Sequence, residues 1–185
     1  ATQGRKPSGQ RTRTTADLFL TQGLPVSFIA TANPPVIGAE QPVQNHPWFP
    51  AVSLHDLRNV CLLDGTVTPN RLRHALLNAL DNVNGELRAF RVQHEAQGHA
   101  NLTAVPCEQL DGTSANVARY LRAVYAHVQA DMAEAYRDID TTPSGEGKTE
   151  RVREKIEAKI EEHRRTMRWA LSDLLAIPRT SVELI

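Results

Sequence analysis

Residues 68–90 read TPNRLRHALLNALDNVNGELRAF, and this stretch decides the fold class. Thr68 followed by Pro69 is a strong N-cap and first-turn pair, because the threonine hydroxyl can accept from a free helix N–H and proline needs no donor at that position. Apolar residues then recur at steps of three and four, at Leu72, Leu76, Ala79, Val83, Leu87 and Phe90. This period predicts one long amphipathic helix that continues to about His94.

Three further stretches show the same helical period. Ser53 and Asp56 resemble a capping arrangement before a short helix that ends at Asp64 and Gly65, with an apolar stripe at Leu54, Leu57, Val60 and Cys61. After a connection at residues 98–113, Ser114 can cap a long helix that fades near Asp140, with a stripe at Val117, Leu121, Val124, Val128, Met132 and Ala135. After a predicted flexible loop at residues 141–149, a third long helix has its stripe at Val152, Ile156, Ile160, His163, Met167, Leu171 and Leu174.

The composition favours packed helices. Aromatic residues are 5% of the chain, so a core must be built mainly from Leu, Val, Ile and Ala. We therefore predict an all-α fold, a small helical bundle of three long helices plus one short helix, in a helical domain at residues 51–176. Trp169 is predicted to lie in the core of this domain and not at an interface.

Residues 1–50 contain seven prolines and show no helical period, which predicts an extended Pro-rich N-terminal arm. The run LPVSFIATANP (24–34) has room for one short strand. Arg5, Lys6, Arg11 and Arg13 make the tip of the arm basic, and they are the predicted contacts to DNA or to a neighbouring chain. Trp48 and Phe49 are predicted to anchor the arm onto the helical body.

At the other end, Pro178 stops helix propagation, so residues 177–185 are predicted to form an extended C-terminal tail. Val182 and Leu184 alternate with polar neighbours, and the segment ends on Ile185. Main-chain pairing to the edge of a partner is one way to accommodate such an apolar, alternating segment.

Charge and cysteine content exclude several classes of protein. Lys and Arg total 21 and Asp and Glu total 21, so no global field attracts nucleic acid. No apolar run is long enough to span a bilayer, and the first residues do not resemble a signal peptide, so we expect a soluble protein made in a cytoplasm. Cys61 and Cys107 are too few for a disulfide framework or a zinc site, and we expect buried free thiols.

Three catalytic patterns are incomplete. GEGKT (145–149) resembles a phosphate-binding loop, but the first glycine of that motif would fall on Thr142 and a helix precedes it. His94 and His99 are five residues apart, which on a helix separates the imidazoles by about 140°, and Gly98 is expected to end the helix before His99. The carboxylates at 138 and 140, and at 161 and 162, have no neighbour suited to acid–base chemistry. We therefore expect no enzyme, no cofactor and no metal.

An ordered set of short motifs runs from Trp48 to the last residue, and no single member of it is catalytic. Its members are PWFP (47–50), LLDGTVTPNRL (62–72), VNGEL (83–87), AVP (104–106), LDG (110–112), RAVY (122–125), YRD (136–138), MRWA (167–170), PR (178–179) and VELI (182–185). Taken in this order, the motifs resemble those of the GPL family of phage head completion proteins.

The resemblance implies a structural virion protein that completes the head and connects it to the tail of a contractile-tailed phage. It implies an adaptor ring, expected to be a dodecamer, beneath the portal protein in the neck of the virion, assembled in the host cytoplasm. The ring would hold the packaged DNA in place and offer a platform to a tail-proximal neck or tail terminator protein. The segment expected to meet the portal or a neighbouring subunit comprises Ile177, Pro178, Arg179, Val182, Leu184 and Ile185.

Two alternatives remain open at this point. The basic tip of the arm is compatible with a helical DNA-binding module that acts in packaging, whose affinity for duplex DNA would fall with salt. A nucleotide hydrolase built around Lys148 would need the phosphate-binding loop that residues 145–149 only approximate.

Overall fold

Helices form most of the protein, and the predicted all-α class is confirmed. The computed structural model describes residues 42–63, 67–139 and 146–179. The helices within them are α1 (Leu54–Val60), α2 (Pro69–Glu86), α3 (Arg88–Ala96), α4 (Ala115–Ile139) and α5 (Glu146–Leu175). A 3₁₀ turn (Leu102–Ala104) and an antiparallel pair of two-residue strands, β1 (Gln109–Leu110) and β2 (Thr113–Ser114), lie between α3 and α4. No helix in these ranges is long and apolar enough to cross a membrane.

Helix α2 begins where its sequence predicts. Thr68 is extended, its hydroxyl accepts a hydrogen bond from the N–H of Arg71 at 3.4 Å, and Pro69 occupies the first turn. The face that packs into the core carries Leu72, Ala75, Leu76, Ala79, Leu80 and Val83. Each fully buried leucine on this face stabilises the fold by about 1.5–3 kcal/mol, so packing rather than helix propensity holds α2 in place.

The prediction of one continuous helix to His94 is wrong, because the chain bends at Leu87. Leu87 has φ −90° and ψ 5° and separates α2 from α3. Its side chain is fully buried, and its N–H still donates to the carbonyl of Val83 at 3.1 Å. The bend lets α3 bring Phe90 against Trp48, with ring centroids 6.2 Å apart. The period of the apolar residues cannot reveal such a bend, because one non-helical residue leaves the spacing of the apolar positions almost unchanged.

Helices α4 and α5 form an antiparallel pair. Arg122 contacts Asp173 at 2.6 Å, and further along α4 Glu134 pairs with Arg164. Helix α5 starts at Glu146, so the predicted loop at residues 141–149 is too long at its C-terminal end.

The segment that precedes α1 belongs to the same core as the helices. Val43 and Val52 form an antiparallel bridge with N···O distances of 3.0 and 3.4 Å, and both side chains are buried. The boundary between the N-terminal arm and the helical domain, placed between residues 50 and 51 from the sequence, remains a prediction. The basic tip of the arm and the predicted strand at residues 24–34 lie outside the described residues.

The connection between α3 and α4 is more ordered than a plain loop. Leu102 of the 3₁₀ turn is fully buried, and the side chain of Asn101 accepts from the N–H of Ala104 at 3.0 Å. Asp111 and Gly112 have φ values of 49° and 69°, which makes the turn between β1 and β2 a two-residue hairpin of the type that an Asp-Gly pair favours.

Candidate functional site

Helix α5 ends at Leu175, and the residues that follow it, 176–179, are exposed and not helical. Ala176 has a φ of 55°, the left-handed conformation that commonly ends a helix. The N–H of the next residue, Ile177, donates back to the carbonyl of Ser172 at 2.9 Å. Pro178 then prevents any further helical turn. We call Trp169, Asp173 and residues 176–179, together with Arg122 of α4, the tail exit.

Asp173 is the centre of the tail exit. Its carboxylate accepts from Arg122 at 2.6 Å and from Arg179 at 2.5, 2.7 and 2.9 Å. The hydrogen bond from Arg179 lowers the pKa of Asp173, partial desolvation opposes this change, and Arg122 adds to it. The carboxylate therefore stays ionised and joins α4, α5 and the start of the tail through charge-assisted hydrogen bonds.

Trp169 lies beside this cluster and is 44% exposed, so the prediction that it belongs to the core is wrong. The guanidinium carbons of Arg165 and Arg179 lie 5.3 and 5.1 Å from the centroid of its ring, within the range of cation–π attraction. The apolar stripe of α5 passes through Met167 and Leu171. Trp169 is two residues from Met167, about 200° around the helix, and therefore faces away from α4.

The tail exit contains part of the segment predicted to meet a partner. Ile177 is 55% exposed, and Pro178 and Arg179 are exposed as well. Arg179 is the member that the structure brings together with Trp169 and Asp173. The remaining predicted contacts, Val182, Leu184 and Ile185, lie outside the described residues, as do Arg5, Lys6, Arg11 and Arg13.

Trp48 and Phe49, the predicted arm anchor, lie in the core with 2% and 5% exposure. The indole N–H of Trp48 donates to the carbonyl of His99 at 3.1 Å, and the carbonyl of Trp48 accepts from the N–H of Leu102 at 2.9 Å. The ring of Phe49 stacks on that of Tyr120, with centroids 4.9 Å apart and planes 11° from parallel. These contacts join the segment before α1 to α4 and to the connection that follows α3.

Sequence reasoning missed a polar triangle beside these aromatic rings. The amide of Asn45 donates to the hydroxyl of Tyr120 at 2.8 Å, this hydroxyl donates to the side chain of Asn84 at 2.8 Å, and Asn84 donates back to Asn45 at 2.9 Å. Burial raises the pKa of Tyr120, against the hydrogen bond from Asn45. The three residues are 36 to 75 positions apart, and two separate asparagines in a sequence carry no signal of such pairing.

Two of the rejected catalytic patterns have a clear geometry. The helix that carries His94 ends at Ala96, before His99, in agreement with the expectation that Gly98 ends it, and the rings of His94 and His99 lie 5.4 Å apart. Gly98, with a φ of 91°, ends the helical turn and lets His99 fold back. Among the described residues, no group of three or more His, Cys, Asp or Glu side chains is arranged to hold a metal ion. The backbone from Glu146 onward is helical and forms no loop around a phosphate.

In the described part of the chain, the conspicuous polar clusters fasten one chain segment to another. The family model described as "Phage head completion protein (GPL)" matches residues 43–185. The match begins at Val43, which forms the backbone bridge with Val52. The "Head completion/stabilization protein" of Escherichia phage P2 is 35% identical over 162 residues, which are 87% of this chain and 94% of that relative.

The chain therefore belongs to the phage head completion protein family. Members of this family are structural proteins that complete and stabilise the phage head, which makes the chain a component of the virion. No solved structure matches the chain.

Proposed function

We propose that this protein forms an adaptor ring, a dodecamer, under the portal protein in the neck of the virion. The ring holds the DNA-filled head closed and serves as the platform for a tail-proximal neck or tail terminator protein. It assembles in the host cytoplasm and works as a non-enzymatic seal. A seal of this kind resists the packaged genome through many repeated contacts between identical subunits.

The geometry of the tail exit supports this proposal. Asp173 and Trp169 hold Arg179, and the exposed Ile177 stands at the start of the same segment. The start of the tail is therefore ordered before any partner is bound, which reduces the entropy lost on binding. The apolar residues at 182, 184 and 185 can then pair with an edge or enter a pocket of the portal ring.

The interior of the protein suits a load-resisting ring. The triangle of Asn45, Asn84 and Tyr120 and the stacked rings next to it connect the segment before α1 with α2 and α4. A buried polar network with its hydrogen bonds satisfied favours one specific packing of the core. The subunit can then transmit force between its neighbours without changes in the packing of its helices.

A truncation tests the role of the tail. The chain without residues 180–185 keeps Arg179 and the tail exit, and it is supplied to a phage that lacks its own copy of the protein. We expect unchanged helix content and melting temperature, together with heads that package DNA but lose it to nuclease or fail to join tails. Normal yields of infectious particles from the truncated chain would contradict the proposal.

A pair of double variants provides the matched control. Changing Val182 and Leu184 to Ser removes the apolar face of the alternating segment, and we expect the same defect as for the truncation. Changing Ser181 and Glu183 to Ala alters the opposite face and should leave particle yield intact. Equal yields from the two double variants would show that this alternation does not make the contact.

A further inference from the structure

The tail exit carries more positive charge than its single acid can neutralise. Arg122 and Arg179 both donate to the one carboxylate of Asp173. The guanidinium of Arg165 lies 5.3 Å from the centroid of the Trp169 ring and, among the described residues, forms no ion pair. Three arginines therefore surround one aspartate, for a net charge of +2.

The two glutamates of α5 that lie nearest to Arg165 along the helix are already paired. Glu162 accepts from a lysine of its own helix at 2.8 Å, and this lysine is the main cause of its lowered pKa, with Arg165 as a smaller one. Glu161 accepts from Arg164 at 3.0 Å, and the same guanidinium also pairs with a glutamate of α4. Residues 159–179 and the α4 residues bonded to them carry six basic and four acidic side chains, all of them described, for a net charge of +2.

An apolar centre lies among these arginines. The indole of Trp169 is 44% exposed, and Ile177, two residues before Arg179, is 55% exposed. Because Arg165 and Arg179 flank the indole, its ring is held in place and loses little entropy when a partner covers it. Tryptophan and arginine are the residues that most often dominate the binding energy of protein interfaces. We call Trp169, Ile177, Arg165 and Arg179 the arginine–tryptophan surface.

This combination suits a protein partner that carries carboxylates. Interfaces with duplex DNA are polar, and most of their hydrogen bonds go to phosphates and sugars. Two large apolar side chains contribute to binding when another apolar surface covers them and removes them from water. Arginine pairs with a carboxylate through two parallel hydrogen bonds. The expected partner is therefore a protein segment in which an acid stands beside an apolar side chain.

The length of the tail indicates which protein supplies this segment. Arg179 is fixed by Asp173, and Ile185 follows it by six residues. An extended chain advances by at most about 3.6 Å per residue, so the tail reaches no further than roughly 20 Å from Arg179. A portal surface that holds the tail must therefore come within about 20 Å of the arginine–tryptophan surface.

We propose that the arginine–tryptophan surface binds an acidic segment of the portal protein, next to the place where the portal holds the tail. This inference rests on the proposed contact between tail and portal, and it adds a second contact, made by the helical body. A carboxylate of the portal pairs with Arg165, and a neighbouring apolar side chain covers Trp169 and Ile177. Two separate contacts fix the orientation of the subunit under the portal, whereas the tail alone would leave it free to turn.

Charge reversal tests this contact. Portal-containing heads are taken from a phage that lacks its own copy of the protein, freed of DNA with nuclease and mixed with the full-length chain. Sedimentation then gives the concentration at half-maximal binding. Arg165→Glu should raise this concentration about tenfold, the effect of losing about 1.4 kcal/mol at an interface. Arg151→Glu is the matched control, because Arg151 lies on the same face of α5, five turns or about 27 Å from Trp169, and should leave binding unchanged.

A second variant tests the apolar centre of the surface. Trp169→Ala should raise the concentration at half-maximal binding about thirtyfold, as expected for a tryptophan that dominates an interface. Helix content and melting temperature are measured for each variant. Arg165 is exposed, so Arg165→Glu keeps the test decisive even where Trp169→Ala lowers the melting temperature. Equal half-maximal concentrations for Arg165→Glu and Arg151→Glu would overturn the proposal.

A cross-link identifies the partner and its chemistry. Arg165→Lys keeps the positive charge and supplies an amine, which a carbodiimide joins directly to a carboxylate in contact with it. In assembled particles we expect a covalent adduct between position 165 and an Asp or Glu of the portal protein, located by mass spectrometry. Arg151→Lys should give no such adduct at position 151. An adduct from position 165 to a second copy of this chain, or to no other protein, would contradict the proposal.

The outcomes distinguish this inference from the proposed function. If the chain without residues 180–185 binds the heads as tightly as the full chain, the proposed role of the tail fails, and the inference fails with it. If that truncation weakens binding but Arg165→Glu does not, the tail still binds the portal and the inference alone is wrong. Binding that disappears when the heads are freed of DNA would identify DNA as the partner and overturn both.

Discussion

Replacing Tyr120 by Phe tests whether the polar triangle stabilises the subunit. The change removes one hydroxyl oxygen and keeps the ring that stacks on Phe49. That hydroxyl accepts from Asn45 and donates to Asn84, both at 2.8 Å. The two asparagines keep their bond to each other at 2.9 Å, and Asn45 keeps its bond to the carbonyl of Pro50, also at 2.9 Å.

The expected loss of stability follows from these contacts. A buried polar group left without its partner costs about 1–3 kcal/mol, and here each asparagine loses one of several bonds. We therefore expect the free energy of unfolding to fall by about 2–3 kcal/mol. For a domain of this size the melting temperature should fall by roughly 4–10 °C.

Urea denaturation, monitored by circular dichroism, measures this decrease in the free energy of unfolding. The dependence of the unfolding free energy on urea concentration should be the same for the variant and the unchanged chain. Tyr125→Phe is the matched control, because Tyr125 lies on the same helix and makes no hydrogen bond among the described residues; its cost should stay below about 0.5 kcal/mol. The reasoning fails if Tyr120→Phe costs no more than this control. Combining Tyr120→Phe with Asn84→Ala should cost less than the sum of the two single changes, because they share one bond.

Three other predictions follow from the tail exit and the cysteines. Asp173→Asn should speed tryptic cleavage after Arg179 several-fold at pH 8 without a change in helix content, because the contact between Asp173 and Arg179 is weakened. Equal cleavage rates would refute the idea that this contact holds Arg179. Because the pKa of Asp173 is lowered, this contact is present above the ordinary pKa of an aspartate and is lost as the pH falls through the depressed value. Cys107 should react with a thiol reagent at pH 8 much faster than Cys61. Burial raises the pKa of Cys61 to about 11. At Cys107 desolvation is outweighed by hydrogen bonds from a serine and from the start of α4, so the pKa of Cys107 is lowered. Equal labelling rates in the two single-cysteine variants would contradict this. Ala176→Gly should raise the free energy of unfolding by about 1 kcal/mol, since glycine adopts the left-handed conformation without strain, and a lower melting temperature would be the opposite result.

Local signals in the sequence predicted the helices well. The Thr68–Pro69 pair and the steps of three and four after it identify the start and the buried face of α2, because capping and amphipathic periodicity depend on neighbours within a turn or two. The ordered set of short motifs also identified the family correctly. The bend at Leu87 was missed, since a break of one residue leaves the apolar period almost unchanged.

The contacts that define the candidate site depend on packing between distant parts of the chain. The sequence alone determined the all-α class, the places where most helices begin, and the proline that stops α5. Only the tertiary structure decided that Asn45, Asn84 and Tyr120 meet, that Trp169 stays partly exposed, and that Asp173 holds Arg179 at the start of the tail. The physical reason is range: caps and periodicity act within a few residues, whereas the partners of a side chain across the bundle are chosen by how the helices pack.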